Sequence, residues 1–330
     1  MAIQHIHNSI YNPDDEFYTA FNDIANELKH YLSQFKGMHI LCPCDWNEIV
    51  FRWKQEQEAG ISNKYNEWIS SGGVEWKEGY RCNFVRYLES QAKTYGFKVH
   101  FTGYYPKQTK EIDGLKQFQD SIPEYYKKYG KKLIVITNPP FSLHKEFLAI
   151  LDRLKIKFIF VVQQMQLMYK ETFKLLQEGK VWTGYTHLTD LIRSDGSHTK
   201  RTKKAQLPST CKWLTNLHVN LDSSEKILKL TKRYKGHENE YIKYRDFNCL
   251  YVPSVKDIPV DYEGMMGVPL GFIFTFNPDK FELLGTTAYS ANKEHITTKK
   301  IKWNVTEDGK NKFAQYIIRN KNPEKNEVDW

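Results

Sequence analysis

The sequence predicts an α/β protein with a doubly wound, mostly parallel sheet and an additional lobe. Between residues 24 and 163, apolar segments of strand length alternate with amphipathic segments of helix length, as in strands joined by helical crossovers. The 330 residues and 40% hydrophobic content suffice for one large domain with an attached lobe. Helical periodicity fades past about residue 185. We therefore divide the chain into a core region, 1–185, and a region 186–330 that extends the sheet.

The first predicted elements are a helix and a short buried strand. Apolar residues recur at helical spacing in the segment IANELKHYLSQF, residues 24–35, and Gly37 follows as a helix-ending residue. The segment MHILC at 38–42 is a strand of apolar residues that runs into the turn Cys42-Pro43-Cys44-Asp45. Doubly wound folds bind their ligands at such a turn after the first strand.

Residues 46–80 predict an insertion. Four of the eight tryptophans fall in this stretch, at positions 46, 53, 68 and 76. We interpret them as packing a small helical flap onto the core, and direct contact with a nucleic acid is the alternative. After the insertion we expect a helix over 83–96, a strand over 97–103 and a polar connection that contains Pro123.

The clearest strands of the sequence lie in its middle third. The segment KKLIVITN at 131–138 is apolar without interruption, which is typical of the centre of a parallel sheet. A helix over 142–154 and the strand KFIFVVQ at 157–163 follow. In the second half, the segments KWLTNLHVNL at 212–221 and GFIFTF at 271–276 predict further strands. The segment from Tyr262 to Pro269 is interpreted as a turn-rich loop, in which the glycines permit a close approach of backbone segments.

Charge and cysteine content restrict the function classes. Lys and Arg number 48 against 39 Asp and Glu, a net charge of +9 that favours polyanionic partners. Five scattered cysteines indicate a reducing compartment rather than a disulfide-stapled domain. One residue separates Cys42 from Cys44, whereas zinc-binding pairs have about two to four, so we expect no metal site. No secretory leader or run of ~20 apolar residues is present, so we expect a soluble protein without membrane contact.

The segment Asn138-Pro139-Pro140-Phe141 directly follows the most apolar strand, at the edge where such sheets bind ligands. Consecutive prolines fix the backbone and offer no amide hydrogen, and the asparagine oxygen adds an acceptor beside free carbonyls. Acceptors at the Asn138 oxygen and the Pro139 carbonyl suit the exocyclic amine of adenine, and Phe141 can stack on the base. The alternative is a turn in which Asn138 caps the following helix.

The sequence resembles the adenine-N6 DNA methyltransferases of the EcoRI modification type, over nearly the whole chain apart from 46–80. The resemblance rests on these blocks: 15–19 with Asp23-Ile24 and Glu27-Leu28, Cys42-x-Cys44-Asp45, Asn83-Phe84 with Tyr87, Asn138 to Phe141, 213–217 and 262–269. It implies a Rossmann-like methyltransferase sheet with a DNA-recognition lobe, S-adenosylmethionine as cofactor, and double-stranded DNA as substrate. It also implies a restriction-modification role in the bacterial or phage-infected cytoplasm, associated with the nucleoid when DNA is bound.

The resemblance further implies which residues contact the cofactor. They are Phe17, Tyr18 and Thr19, the turn Cys42, Pro43, Cys44 and Asp45, and the pair Asn83 and Phe84. Without the family, the segment from Asp15 to Thr19 is equally a lead-in to a helix. The turn departs from the usual glycine-rich pattern, and the strand at 97–103 ends without an acid that could hold a ribose.

A basic stretch is the candidate DNA contact. Its members are Arg193, His198, Lys200, Arg201, Lys203 and Lys204. They lie in a loop-like segment with Ser and Gly, where phosphate contact is the natural role and a solvated loop is the alternative.

Two other functions fit parts of the pattern. The same acceptor pair suits RNA adenine or a protein glutamine, and a catalytically silent DNA-binding protein can share the fold. Base extrusion is required for DNA, because the target amine lies within the stacked duplex. The sequence does not determine the oligomeric state, and we favour a monomer.

Overall fold

The computed structural model describes residues 17–44, 48–70, 82–102, 114–193, 198–200, 210–288 and 302–324. The chain forms two compact units, residues 1–163 with 186–218, and residues 164–185 with 219–330. The units therefore do not follow the predicted division at 185, because 186–218 belongs to the first unit. The functional roles assigned to the two regions stay predictions.

The elements are numbered in chain order. The helices are α1 Phe21–Leu28, α2 Glu48–Glu58, α3 Lys64–Ser70, α4 Asn83–Tyr95, α5 Gly114–Tyr129, α6 His144–Leu154 and α7 Lys170–Gln177. The strands are β1 Phe17–Thr19, β2 His39–Cys42, β3 Lys98–Phe101, β4 Leu133–Thr137, β5 Lys157–Gln163, β6 Trp182–Thr183, β7 Asp190–Arg193, β8 His198–Lys200, β9 Cys211–Thr215, β10 Ile242–Lys243, β11 Cys249–Tyr251, β12 Met265–Pro269, β13 Phe281–Thr286 and β14 Gln315–Asn320. Short 3-10 helices connect several of them.

In the first unit, five strands pair in the order β3-β2-β4-β5-β9. The first four are parallel and β9 runs antiparallel to β5. All residues of β4 are buried, as are the central five of β5, which explains why both segments are apolar without alternation. The predicted α/β class with a mostly parallel sheet is confirmed.

A second sheet of this unit has three antiparallel strands in the order β1-β7-β8. Phe17 is opposite Arg193 and Thr19 is opposite Leu191 in its register. The sequence did not predict this sheet, because β1 is three residues long and its partner strand follows far along the chain. Residues 17–19 are extended and lead into α1, which begins at Phe21.

Several predicted elements match the structure closely. The strand 157–163 coincides with β5, and α4 ends before Gly96, whose φ of +70° closes the helix. The insertion is helical, as predicted, through α2 and α3, and Trp53 is 7% exposed. Trp46 and Trp76 lie outside the described residues.

Several predictions of secondary structure were wrong. The expected connection around Pro123 is helix α5, in which Ile122 is fully buried. Burial of that face outweighs the helix-breaking effect of proline, about 3 kcal/mol. The expected strand at 271–276 lies mainly in a 3-10 helix, Leu270–Thr275, in which Phe272 and Ile273 are buried. The single helix expected over 24–35 is divided into α1 and a 3-10 turn, Leu32–Phe35.

The second unit contains a mixed sheet in the order β10-β11-β12-β14-β13, in which only β11 and β12 are parallel. Tyr244, Cys249, Leu284 and Ile317 form a buried cluster there. Gly267 in β12 lies against this cluster, since a Cβ atom built on it would stand 2.7 Å from the Tyr244 ring. The stretch from Tyr262 to Pro269, expected as a turn-rich loop, contains strand β12, and the close neighbour at Gly267 is the Tyr244 side chain rather than a backbone segment.

All five cysteines are free thiols. Across the described ranges, no helix combines the length and the apolar character of a membrane span. The same residues contain no group of three or more His, Cys, Asp or Glu side chains arranged to hold a metal ion.

Replacing Gly267 by alanine tests the packing in the second unit. We expect Gly267→Ala to lower the free energy of unfolding by about 1–3 kcal/mol, because the methyl group collides with the Tyr244 ring. The control is Gly271→Ala, where nothing lies within 4 Å of the added carbon. Urea unfolding of both variants measures the difference. Equal midpoints would contradict the close packing at Gly267.

Candidate active site

The loop from Asn138 to Phe141 leaves the carboxyl end of β4, the central strand of the first unit. Pro139, Pro140 and Phe141 are buried, and Asn138 is partly buried. The Leu143 amide donates to the Pro140 carbonyl at 3.0 Å and starts a short 3-10 turn ahead of α6. No described residue donates a hydrogen bond to the Pro139 carbonyl. The loop therefore presents one satisfied and one open carbonyl.

The side chain of Asn138 is oriented by β1. Its Nδ2 donates to the Phe17 carbonyl at 2.5 Å. Its Oδ1 is buried and accepts no hydrogen bond from a described residue. The helix α6 begins without a side-chain cap, so the alternative of a helix-capping Asn138 is wrong. A buried acceptor of this kind normally has a partner, and its orphaned state fits a ligand that brings a donor.

The three residues of β1 lie beside this loop. The rings of Phe17 and Phe141 are 6.0 Å apart at an angle of 32°. Thr19 is buried, and its Oγ1 has no hydrogen-bond partner among the described residues. Since alternate carbonyls of a strand point the same way, those of Phe17 and Thr19 face the edge of β1 opposite β7.

The start of α4 reaches the same edge. Asn83 donates from Nδ2 to the Thr19 carbonyl at 3.0 Å, and its Oδ1 accepts from Arg86 Nη1 at 2.9 Å. Phe84 is 2% exposed and packs edge-on against Trp213, with ring centroids 6.0 Å apart. The structure thus brings Asn83 to β1 and places Phe84 in the core; cofactor contact by either stays a prediction.

The turn after β2 is the neighbour of the loop after β4, because β2 and β4 are adjacent parallel strands. Thr102 closes this turn from the other side. Its amide donates to the Cys42 carbonyl at 3.0 Å and its Oγ1 to the Pro43 carbonyl at 3.1 Å. Cys44 is partly exposed, and Asp45 lies outside the described residues.

Three of the predicted DNA-contacting residues, Arg193, His198 and Lys200, lie in strands β7 and β8. Arg193 ends β7 opposite Phe17, and Lys200 pairs with Asp190. His198 Nδ1 lies 2.6 Å from Asp190 Oδ2. Residues 190–193 and 198–200 are therefore strands rather than the loop we expected. Arg201, Lys203 and Lys204 lie outside the described residues.

The sequence model of one protein family, described as adenine-specific methyltransferase EcoRI, matches residues 5–55 and 128–325. The chain belongs to this family. Type II methyltransferase M.EcoRI of Escherichia coli is 33% identical over 303 residues, 84% of this chain and 88% of the relative. Type II methyltransferase M.MpnI of Mycoplasma pneumoniae is 29% identical over 302 residues, 83% of each chain.

A third relative, Type II methyltransferase M.MgeORF184P of Mycoplasma genitalium, is 28% identical over 329 residues, 93% of this chain and 95% of the relative. Membership in the EcoRI family confirms the predicted class, a site-specific DNA methyltransferase that acts on adenine.

Two buried carboxylates hold the hairpin of this EcoRI-family chain in place, a role that sequence reasoning missed. Asp23 accepts from the amides of Thr189 and Asp190 at 2.7 and 2.9 Å and from the Thr189 hydroxyl at 2.7 Å. Glu27 accepts from the amide and the hydroxyl of Thr186, both at 2.7 Å. The available signal was the pair of acids, four residues apart, within the apolar helix pattern.

His144 is the first residue of α6, directly behind the candidate catalytic loop. It is 2% exposed, and its ring lies 5.9 Å from that of Phe160. Burial, and to a smaller extent the positive charge of Lys145, lower the pKa of His144 to about 4. The folded chain therefore keeps this imidazole neutral in conditions where the unfolded chain protonates it.

We expect acid to destabilise the protein through His144. The unfolded chain binds this proton below about pH 6.5 and the folded chain only near pH 4, so stability falls as pH falls between those values. Between pH 7.5 and pH 5 this group removes about 2 kcal/mol of unfolding free energy. Urea unfolding of wild type and His144→Gln at several pH values measures the effect. Parallel pH curves for the two proteins would contradict it.

Proposed function

We propose that the chain transfers the methyl group of S-adenosylmethionine to the N6 amine of an adenine extruded from double-stranded DNA. The buried, unpartnered Oδ1 of Asn138 carries this proposal, together with the open carbonyl of Pro139. Two acceptors at one strand end match the two hydrogens of an exocyclic amine. The adenine specificity of the family disfavours a protein glutamine as the target.

Asn138 acts as an oriented acceptor. Because Phe17 fixes its Nδ2, the Oδ1 faces away from β1 and can accept an N6 hydrogen without reorganisation. Hydrogen bonds to both amine hydrogens favour the pyramidal nitrogen that attacks a methyl group. The site needs no strong base, since positioning supplies most of the rate gain.

Phe141 is assigned to stacking on the extruded base, a contact of ~1–3 kcal/mol. Its ring is held from one side by Phe17. The loop itself is fixed by Pro139 and Pro140, and the Leu143 amide holds its far end. The base-binding surface is therefore rigid on the protein side.

We assign cofactor binding to β1, to Asn83, which contacts β1, and to the turn after β2, of which Cys42, Pro43 and Cys44 are described and Asp45 is not. S-adenosylmethionine, when bound, supplies an electrophilic methyl group on its sulfonium. The residues present fit such a ligand, because Thr19 Oγ1 and Asn138 Oδ1 are both buried and lack partners among the described residues. Phe84 supports this region from the core by packing on Trp213.

We assign phosphate contacts to the basic hairpin. Pairing of β7 with β1 joins the hairpin to the strand that holds Asn138. Backbone contacts fix the register of a protein on a duplex. A duplex held by the hairpin is therefore positioned relative to the acceptor of the extruded base.

Replacing Asn138 by alanine tests the acceptor. We expect Asn138→Ala to reduce methyl transfer to DNA by about 100-fold or more, the usual cost of losing one preorganised polar contact. Duplex affinity should stay within a few-fold. Incorporation of labelled methyl groups and long-read mapping of methyladenine provide the readout. The control is Asn322→Ala, which changes an exposed asparagine in a bend of the second unit. Unchanged turnover of the variant would reject the role of Asn138.

Neutralising the basic stretch tests the phosphate contacts. We expect a variant with glutamine at positions 200, 201, 203 and 204 to bind duplex more weakly and with a salt slope lowered by about 0.9 per lost contact. The control carries glutamine at 127, 128, 131 and 132, four exposed lysines before β4. Both variants lose the same charge. Equal slopes for the two would show that this basic stretch makes no phosphate contacts of its own.

A further inference from the structure

Arg86, in the first turn of α4, has an unusual set of contacts. Its Nη1 donates to Asn83 Oδ1 at 2.9 Å, and its guanidinium carbon lies 5.4 Å from the centre of the Phe21 ring. Its Nε is buried and makes no hydrogen bond to a described residue. No acidic side chain of the described residues forms an ion pair with it. Arg86 is therefore a partly buried cation that forms no ion pair within the described part of the chain.

Such a cation is unfavourable unless an anion joins it. Burial lowers the pKa of the Arg86 guanidinium, yet arginine stays charged in proteins. The ring of Phe21 contributes only about 0.5–1 kcal/mol at a partly exposed site. Since Nη1 is engaged by Asn83, the edge formed by Nε and Nη2 remains, and this planar fork fits a carboxylate with two parallel hydrogen bonds.

Arg86 and Asn138 are both connected to β1. Asn83 links Arg86 to the Thr19 carbonyl, and Asn138 is bound to the Phe17 carbonyl. These two carbonyls are two residues apart on one strand, roughly 6.6 Å. In S-adenosylmethionine only three carbon atoms separate the sulfur from its carboxylate, so one molecule spans a comparable distance.

We propose that Arg86 binds the α-carboxylate of S-adenosylmethionine through its Nε–Nη2 edge. This inference rests on the proposed function. It deepens that function by naming Arg86 as the residue that distinguishes S-adenosylmethionine from a cofactor without the carboxylate. The carboxylate is the single anionic group of that molecule. Arg86 lies in the first turn of α4, where the helix dipole adds partial positive charge. A DNA phosphate has related chemistry, but the burial of Nε favours a small ligand inside the site.

Binding of two cofactors that differ only in this group tests the proposal. Isothermal titration calorimetry with the full chain compares S-adenosylmethionine with decarboxylated S-adenosylmethionine. We expect wild type to bind the complete cofactor about 30-fold more tightly or better, the range for truncating one partner of a buried charge pair. Arg86→Met should lose a similar factor for S-adenosylmethionine and stay within about 3-fold for the decarboxylated form. Arg86→Lys, which keeps the charge without the fork, should lie between them.

The control variant is Arg153→Met, which removes an exposed arginine from the last turn of α6 and should change neither affinity. Thermal unfolding confirms that each variant is folded. If Arg86→Met does not fold, the affinities of wild type and of Arg86→Lys for the two cofactors still test the inference. Equal affinity of wild type for both cofactors would overturn the inference and leave the proposed function intact. Failure of wild type to bind S-adenosylmethionine would overturn both. Weaker duplex binding by Arg86→Met at unchanged cofactor affinity would assign Arg86 to a DNA phosphate instead.

Discussion

The free edge of β1 is the constraint on which the candidate site depends. A strand edge exposes carbonyls that need donors, and here the carbonyls of Phe17 and Thr19 receive them from the amide side chains of Asn138 and Asn83. Each donation fixes an amide group and turns its oxygen away from the strand. The oxygen of Asn83 then holds Arg86, while that of Asn138 stays open. The need of the β1 carbonyls for hydrogen-bond donors thus orients the side chains of both Asn83 and Asn138.

The other edge of β1 connects this arrangement to the basic hairpin. β7 pairs with β1, and the carboxylates of Asp23 and Glu27 secure the segment that leads into β7. Buried carboxylates are unfavourable unless they are fully hydrogen-bonded, and each of these accepts at least three hydrogen bonds. Such a clamp holds the hairpin in one place relative to β1. The hairpin and the strand that binds Asn138 then form one rigid frame, which is what the proposed contacts to the DNA backbone and to the extruded base require.

The parts of this fold that the sequence predicts are those governed by local pattern. β4 and β5 are continuous apolar runs, and the loop at Asn138 follows one of them directly. The pairing of β1 with β7 depends on a segment far along the chain, so no local pattern indicates it. The roles of Asp23 and Glu27 were missed for the same reason. Around Pro123, and again at 270–275, burial decided the structure against the local preference.

The two prolines explain why the open acceptors remain open. A residue with an amide hydrogen at position 139 or 140 would bring a donor next to Asn138 Oδ1, and a buried acceptor takes any donor within reach. Proline has none to offer. The Leu143 amide, which follows the two prolines, donates to the Pro140 carbonyl. It is therefore not available as a donor to Asn138 Oδ1. The proposed role of the loop as an acceptor site therefore depends on two features. Pro139 and Pro140 have no amide hydrogens, and Asn138 and Pro139 present oxygens without partners among the described residues.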